Sequence, residues 1–426
     1  MVPRRWFLWI ISLLVIGSLL GACATPTPVP PTATQAAPAA SPTAPAAATP
    51  TTAPSPTPAP KTKLTIWHAY HTGGSEEQAL TQILKNYQQK NPNVEVQVLA
   101  IPFDQIFTKW ETEVAAGGGP DMFTAPNDQL GKEVRAGLIA PLDDLLKGKL
   151  ENVAPIGIQG MQVGGKIYGV PGIVKAVALY YNKSTVPEPP KTTDDLLKLV
   201  KAGKKLVLYA GGAAAYFHFG WYSAFGGQLA DPQGRCIADK GGVAEALQFL
   251  LDLKAAGAQF ESDLSKGATL FRQGKADMIV DGPWMLGDYK KDLGDKLGVV
   301  PLPAGPKGPA KPLTGVDGWY INPNSKNKEA AVALALYIFG PEGLKIYADV
   351  AGDPPVRTDV QVTDPLVKTF AEAAAAGFPR PQEAWFDNYW GPFGDMFTAV
   401  LEGKAKPADA VAKACADMNK ANKFSP

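Results

Sequence analysis

The chain has 426 residues, and its 41 basic and 40 acidic side chains give a formal net charge of +1. A chain with such evenly balanced charges gives no sign of the electropositive surface that nucleic-acid binding requires, so we expect no nucleic-acid partner. The length exceeds what one ordinary hydrophobic core organises, so more than one domain is expected.

The first 22 residues have the pattern of an export signal. Arg4 and Arg5 precede an apolar run, Trp6 to Leu20, that is shorter than the roughly 20 residues of a membrane-spanning helix. The following "LGAC" resembles the bacterial lipobox, in which the peptide is cut before the cysteine and lipid is added to the thiol. We predict a lipoprotein signal peptide at 1–22 and lipidation of Cys23 on the extracytoplasmic face of the cell membrane; a plain signal peptide with a chance cysteine is the alternative.

Residues 23–61 are rich in Pro, Ala and Thr, and no charged side chain occurs from 24 to 60. Such a segment has too little apolar surface to form a core. We predict an extended tether that reaches on the order of 100 Å in polyproline conformation.

Hydrophobic periodicity then predicts alternating strands and helices. The first helix has its apolar residues on one face, and Ser75 with Gln78 has the pattern of a capping box. In chain order the first predicted elements are strand 63–70, helix 75–92, strand 94–101, helix 105–117, strand 120–126 and helix 128–139.

The alternation resumes after residue 175, without an internal sequence repeat. These later elements are strand 176–183, helix 192–203, strand 204–211, helix 243–257, strands 275–284 and 296–303, and helices 327–350 and 406–420. Strands alternating with helices indicate an α/β fold with parallel sheets covered by helices on both faces.

No catalytic constellation is visible. The three histidines, His68, His71 and His218, are too few to argue a zinc site, and no H-E-x-x-H, nucleophile elbow or P-loop occurs. The glycines of "VAAGGGPD" lack phosphate-binding spacing and read as a turn. Nothing local marks the carboxylate pair of a glycoside hydrolase. We expect a protein that is not an enzyme and has neither metal nor cofactor.

Aromatic residues stand beside turn residues instead. They are Tyr216 in "AAAYFHF", Trp284 in "DGPW", Trp319 in "GVDGWY" and Trp390 in "DNYWGP". Strand ends are where α/β folds build ligand crevices, and an aromatic face suits the C–H face of a sugar ring. Each one alone fits a core equally well, but together they favour a ligand site.

With these residues, the chain resembles the extracellular solute-binding proteins of ABC importers, specifically the maltose/maltodextrin-binding group. The markers are "AAGGGPDMFTAPNDQLG", "YGVPGIVKAVALYYNKSTVPEPPKTTDDL", "FRQGKADMIVDGPW" and "NKEAAVALALYIFGPEGL". The resemblance implies a type II periplasmic-binding-protein-like fold, with two α/β lobes, hinge crossings and a ligand cleft. The first lobe is expected at 62–174 with 313–362, and the second at 175–312 with 363–426.

The resemblance also implies a ligand site. Asp128 falls on an acid that accepts hydroxyl hydrogen bonds, and Tyr216, Trp284 and Trp390 fall on stacking rings. Trp319, on a crossing strand, fits a core equally well. The full set of expected site residues is Tyr70, His71, Glu76, Asn127, Asp128, Lys175, Tyr216, Trp284, Trp319 and Trp390.

Several positions depart from the maltodextrin-binding pattern. Two arginines and a tryptophan are replaced, and two glutamates are lost; the residues in their places are Gln129, Gly394, Ala125, Lys175 and Ala214. Lys175 has three interpretations: a donor to the ligand, a partner of Asp128 across the cleft, or a solvated surface lysine. Because an ammonium in the cleft suits an anion, a receptor for an anionic sugar or sugar phosphate stays an alternative.

The expected function is that of a monomeric, lipid-anchored receptor that captures a carbohydrate, expected to be an oligosaccharide, and delivers it to the permease subunits of an ABC importer. A secreted glycoside hydrolase and a surface adhesion or signalling module on the same scaffold are the rivals. Cys236 and Cys415 either form a disulfide or remain two free thiols, since sequence gives no separation between them.

Overall fold

The computed structural model describes residues 61–424, which form two lobes, each built on its own β-sheet. The strands are β1 Thr62–His68, β2 Val94–Ala100, β3 Met122–Pro126, β4 Gln162–Val163, β5 Lys166–Ile167, β6 Val170–Lys175, β7 Ala178–Asn182, β8 Leu206–Tyr209, β9 Gln259–Glu261, β10 Met278–Asp281, β11 Leu297–Val300, β12 Leu313–Ile321 and β13 Phe378–Pro379.

Helices cover the sheets and connect their strands. They are α1 Ser75–Lys90, α2 Phe103–Ala115, α3 Leu130–Arg135, α4 Asp143–Leu146, α5 Pro155–Gly160, α6 Thr193–Lys201, α7 Ala214–Phe217, α8 Gly220–Ala224, α9 Val243–Ala256, α10 Leu264–Arg272, α11 Leu286–Leu293, α12 Lys328–Ile338, α13 Pro341–Ile346, α14 Pro365–Ala376, α15 Ala384–Asp387, α16 Trp390–Leu401 and α17 Pro407–Ala421.

The sheet of lobe 1 has the order β13-β12-β3-β1-β2, and its sixth strand, β6, also pairs with β12. Strands β1, β2 and β3 are parallel, as their alternation with helices predicts, with Ile66 opposite Met122. Strand β12 is antiparallel to β3 and β6. The prediction of a wholly parallel sheet is therefore wrong for β12, because this strand enters from the other lobe and not through a βαβ crossover.

The sheet of lobe 2 has the order β11-β7-β10-β8-β9. Strand β8 is parallel to β9 and β10, whereas β7 is antiparallel to β10 and β11. Here too the parallel expectation holds only for the strands joined through helices. The parallel strands β8 and β10 end next to the segments that carry Tyr216 and Trp284.

The buried apolar residues divide between the lobes in a discontinuous way. The lobe 2 core is drawn from 177–313 and 367–418, and the lobe 1 cores are drawn from 64–176 and 316–374. We propose the lobe boundaries 174/175, 312/313 and 362/363 from the sequence; beyond the last of them, Ala374 and β13 still pack with lobe 1. The chain passes between the lobes three times, so movement of one lobe against the other bends three neighbouring segments.

One predicted helix cap differs from the structure. The capping box is wrong: the N-cap of α1 is Gly74, which has no side chain to accept a hydrogen bond, and Ser75 is already the first helical residue. Gln78 Nε2 instead donates to the carbonyl of Gly73 over 2.9 Å.

The predicted helix 327–350 is two helices. α12 ends at Ile338, Pro341 starts α13, and a π-helical turn, Tyr347–Ala351, completes the segment. Proline lacks the N–H that would continue the first helix, so it begins the second. No single helix within residues 61–424 has the length and hydropathy of a membrane span, although Lys328–Ile338 and Pro341–Ala351, bent by 42°, meet that test as a pair.

Cys236 and Cys415 form a disulfide with an S–S distance of 2.05 Å. It joins the loop before α9 to the C-terminal helix α17, both in lobe 2. This decides between the two alternatives that the sequence left open. The predicted signal peptide, Cys23 and the predicted tether up to residue 60 lie outside the described residues and stay predictions.

Candidate functional site

Three aromatic side chains of lobe 2 are only half-buried, unlike the core aromatics around them. Trp284 follows β10 in a 3-10 turn, Tyr216 lies in α7, and Trp390 is the first residue of α16. The ring centroids of Tyr216 and Trp284 are 6.1 Å apart with a 40° angle between planes. These three half-buried rings are here called the aromatic platform, and their contact with a ligand stays a prediction.

Arg380, a residue that the sequence analysis did not select, lies against this platform. Its guanidinium carbon is 5.3 Å from the ring centroid of Tyr216 and 5.6 Å from that of Trp390. The same guanidinium forms an ion pair with Asp128 of lobe 1. Burial lowers the pKa of Arg380 to about 9, which still leaves the group charged at neutral pH. A cation over two rings and beside a carboxylate is a favourable arrangement.

The backbone of β12 makes room for this arginine. A side chain at Gly315 would place its Cβ 2.9 Å from Arg380 Nη1, closer than ordinary contact allows. Arg380 therefore packs against the backbone of β12. Its guanidinium lies near the rings of Tyr216 and Trp390 of lobe 2 and forms an ion pair with Asp128 of lobe 1. Gln129 and Gly394 remove two arginines that the resemblance predicts, and Arg380 supplies a guanidinium from a different segment.

Lys175 lies at the centre of a buried acidic cluster. Its Nζ is 2.6 Å from Glu76 Oε1, 2.7 Å from Asp353 Oδ1 and 3.4 Å from Asp317 Oδ2. An ammonium has three N–H donors, and three carboxylates face them. The ammonium is also 6.0 Å from the ring centroid of Trp284.

These contacts correct two interpretations of Lys175. It does not pair with Asp128, whose partner is Arg380, and it is not a solvated surface lysine, since it is 3 % exposed. Burial alone lowers its pKa, but the carboxylates of Asp317, Asp353 and Glu76 outweigh burial and raise the pKa well above its ordinary range. Lys175 therefore neutralises carboxylates in this conformation.

Burial also acts on the acids of the cluster. It raises the pKa of Glu76 well above its ordinary range and that of Asp317 to about 6, although Lys175 opposes both shifts. Three carboxylates share one ammonium, so the cluster has a formal charge of −2 when all are ionised. A site with this charge disfavours an anion.

Four further residues of the expected site have different surroundings from one another. Tyr70 is buried beside the cluster and its hydroxyl is 3.1 Å from that of Tyr347. His71 is exposed. Asn127 is buried and donates from Nδ2 to the carbonyl of Gly160 over 2.9 Å, so it fixes the loop before Asp128. Trp319 is fully buried in the lobe 1 core, 6.2 Å from Phe339, and is a core residue.

Asp317, Asp353 and Arg380 are the residues that sequence reasoning missed. Asp317 stands in the quoted "GVDGWY", where only the tryptophan was selected as a site residue. Asp353 and Arg380 occur in proline-containing loops, "GDPP" and "PRPQ", with no periodicity to mark them. Only the meeting of the three crossing segments brings them to one place.

Several polar atoms at this place are buried and have no hydrogen-bond partner among residues 61–424. They include Tyr216 Oη, Arg380 Nε and Asp317 Oδ1. One is a hydroxyl, one a donor and one an acceptor, which together match the hydroxyl groups of a polyol. The aromatic platform beside them matches the apolar face of a sugar ring.

A two-lobed α/β fold whose lobes are joined by crossing segments defines the class of solute-binding proteins. The family model for bacterial extracellular solute-binding proteins matches residues 82–377, and this chain belongs to that family. The resemblance drawn from the sequence is thereby confirmed.

The chain is similar to several characterised sugar receptors. It is 28% identical over 361 residues to the maltotriose-binding protein of Pyrococcus abyssi, covering 80% of this chain and 78% of that protein. It is 27% identical over 379 residues to the galactooligosaccharide-binding protein of Bacillus subtilis, covering 83% and 88%. The maltooligosaccharide ABC transporter solute-binding lipoprotein of Streptococcus pneumoniae is 25% identical over 324 residues, covering 68% and 73%.

Solved structures have the same fold. The maltotriose-binding protein of Thermus thermophilus, bound with maltotriose, superposes with a TM-score of 0.76 at 28% identity. The alignment covers 84% of this chain and 100% of that one.

Proposed function

We propose that this protein is a lipid-anchored receptor that captures an uncharged oligosaccharide between its lobes and delivers it to the permease subunits of an ABC importer. The observation that carries the proposal is the joint presence of a half-buried aromatic platform and unpaired polar atoms at the crossing segments. Rings that stack on a sugar and polar groups that bind its hydroxyls are the two requirements of carbohydrate recognition.

The charges around the cleft support an uncharged ligand. Lys175 and Arg380 are both paired, and the acids Glu76, Asp317 and Asp353 outnumber the one ammonium among them. An anionic sugar would meet excess negative charge in a site of low dielectric constant. Lys175, held by three carboxylates, therefore does not favour an anionic ligand.

The names of the relatives support a short saccharide of neutral sugars. They are described as binding maltotriose, galactooligosaccharide or maltooligosaccharide, and one is a lipoprotein of an ABC transporter. The same relatives are binding proteins, which supports a role without turnover. A monomer anchored through Cys23 is the simplest form for such a receptor.

Titration calorimetry on the detergent-solubilised full chain tests the proposal with three probes: maltotriose, a galactotriose and trigalacturonate. We expect a neutral trisaccharide to bind and trigalacturonate not to bind. Chromatography of the bound saccharide after long incubation should return it intact. Binding of trigalacturonate alone would contradict the proposed charge preference, and cleavage products would favour the glycoside hydrolase.

A further inference from the structure

The segment Arg380–Asp387, here called the strap, leads from β13 of the lobe 1 sheet to the lobe 2 core, and Arg380 donates its backbone N–H to the carbonyl of Thr314 on β12. Its C-terminal half is helix α15, and Phe386 is buried in the lobe 2 core. Trp385 accepts a hydrogen bond at its carbonyl from Asn422, near the end of α17. The other side of the strap faces the start of α3 in lobe 1.

Gln382 makes the central contacts with lobe 1. Its Nε2 donates to the carbonyl of Asn127 over 3.1 Å, and its Oε1 accepts from the backbone N–H of Gly131 over 3.0 Å. Arg135 of α3 donates to the carbonyl of Gln382 over 2.8 Å and forms an ion pair with Asp387. One amide side chain thus satisfies a donor and an acceptor of the other lobe.

The approach of the strap to α3 depends on a glycine. A Cβ at Gly131 would lie 2.1 Å from the carbonyl oxygen of Gln382, a distance that backbone atoms cannot relieve. The backbones touch at this point, so a side chain at 131 would force the strap away from lobe 1.

The first residue of the strap is Arg380, and it reaches the aromatic platform. Its guanidinium lies against the rings of Tyr216 and Trp390 of lobe 2 and pairs with Asp128 of lobe 1. Displacement of the strap therefore moves the guanidinium relative to both lobes at once.

We propose that the strap is a clasp between the lobes, in which Gln382 fixes the strap to lobe 1 and Arg380 positions the aromatic platform. The clasp sets how long a captured saccharide stays in the cleft. This inference rests on the proposed function for its ligand and on the strap contacts for its geometry. Gln382 is a positioning residue, whereas Arg380 both positions the platform and has the unpaired Nε that faces no protein acceptor among residues 61–424.

The first test needs no saccharide. Gln382→Ala removes both side-chain hydrogen bonds to lobe 1. Gln248→Ala is the matched control, since Gln248 is exposed on α9 and its side chain donates to Asp252 of the same helix. Hydrogen exchange of the full chain in detergent should be faster in Gln382→Ala over both 128–136 and 380–390, and unchanged in the control. If Gln382→Ala exchanges its amide hydrogens over 380–390 at the same rate as wild type, the strap is not a clasp.

The second test measures maltotriose kinetics by surface plasmon resonance. Loss of two hydrogen bonds should raise the dissociation rate of Gln382→Ala about tenfold and leave the association rate within about twofold. Gly131→Ala should act in the same direction and Gln248→Ala should not. A dissociation rate equal to that of wild type in Gln382→Ala overturns the proposed role in residence time.

Arg380→Lys separates positioning from charge. Lysine keeps the positive charge beside Asp128 but loses the planar group that lies over two rings. We expect faster maltotriose dissociation in this variant with exchange over 128–136 as in wild type. If Arg380→Lys dissociates like wild type, Arg380 does not position the platform. If the wild type binds no saccharide, the proposed function fails, and the exchange experiment alone still decides whether the strap is a clasp.

Discussion

The ammonium of Lys175 lies 2.6 Å from the carboxylate of Glu76, and this pair joins the end of β6 to the first turn of α1. The sequence marked both residues for ligand contact, but the structure binds them to each other. Asp353 and Asp317 complete the cluster from the other two crossing regions. The hinge is thus held by charge as well as by packing.

Lys175→Met should destabilise the protein by about 3–5 kcal/mol at pH 7, because it leaves buried carboxylates without a counter-charge. The loss should shrink at pH 5, since burial raises the pKa of Glu76 and of Asp317 and favours their neutral forms. Urea unfolding at both pH values measures this. Lys198→Met, at a side chain 76% exposed, is the control and should change little.

Two tryptophans of similar sequence context should behave differently. Trp390→Ala should weaken saccharide binding by a few kcal/mol at most and cost less stability than Trp319→Ala, because the ring is only partly buried. Trp319→Ala should cost about 3–5 kcal/mol of stability, because the side chain is fully buried. Calorimetric titration and urea unfolding of both variants separate the roles. Equal stability losses would place Trp390 in the core.

Asp281 predicts a pH dependence of stability. It is buried behind Trp284 and accepts hydrogen bonds from Tyr289 over 2.7 Å and Tyr209 over 3.1 Å. Burial raises the pKa of its carboxyl to about 6, against about 3.9 in an unfolded chain. The folded state therefore holds a proton that the unfolded state releases, and this stabilisation is lost as pH rises through 6.

The contribution of Asp281 to the free energy of unfolding should fall by on the order of 1 kcal/mol from pH 5 to pH 7. Asp281→Asn cannot ionise, so its stability should fall less over that range than that of wild type. Asp252→Asn on the exposed face of α9 is the control. Parallel pH profiles of wild type and Asp281→Asn would show that the carboxyl does not titrate there.

The disulfide between Cys236 and Cys415 closes a loop over a sequence separation of 179. The Cys236→Ser, Cys415→Ser double variant should lose about 2–4 kcal/mol of stability. Saccharide affinity should change little, since neither cysteine belongs to the platform or the acidic cluster. Unfolding with and without reductant provides the comparison, and a reductant effect that persists in the double variant would exclude this bond as its cause.

Cys23→Ala should release the protein from membranes without a change in saccharide affinity. A single acyl chain holds a protein only marginally at a membrane, so the wild type should have more than one chain at this cysteine. Fractionation with and without detergent, and mass spectrometry of the N-terminal peptide, measure both points. Detergent-sensitive membrane association of the variant would place the anchor elsewhere.

Local patterns predicted the helices and strands of the fold well where periodicity was strong. α1, α9 and α17 begin and end within a few residues of prediction, because each has an apolar face and a clear end such as Gly257. Periodicity did not predict β6 or β12, and only the resemblance placed a crossing strand at Trp319, because both strands are buried on both faces and show no alternation. Their antiparallel pairing depends on contacts distant in sequence.

The candidate site could be predicted only where a residue type in its local sequence context is itself a signal. Aromatics beside turns marked Tyr216, Trp284 and Trp390, which are less buried than the core aromatics, and their role in ligand binding stays a prediction. Arg380 and Asp353 have no such local signal, because their function depends on where three crossings meet. Lys175 was identified as unusual, but its partners were not, since a lysine alone does not reveal which acids surround it.

The order of segments in lobe 2 has a consequence for export. Helices α16 and α17 are needed to fill the lobe 2 core, and α17 carries the partner of Cys236. A chain that crosses the membrane from its N-terminus delivers Cys236 long before Cys415, with a segment of lobe 1 in between. Lobe 2 therefore stays incomplete until almost the whole chain has been translocated. The disulfide between Cys236 and Cys415 can form only after α17 has been translocated. A chain truncated before α17 has an incomplete lobe 2 core and no partner for the thiol of Cys236.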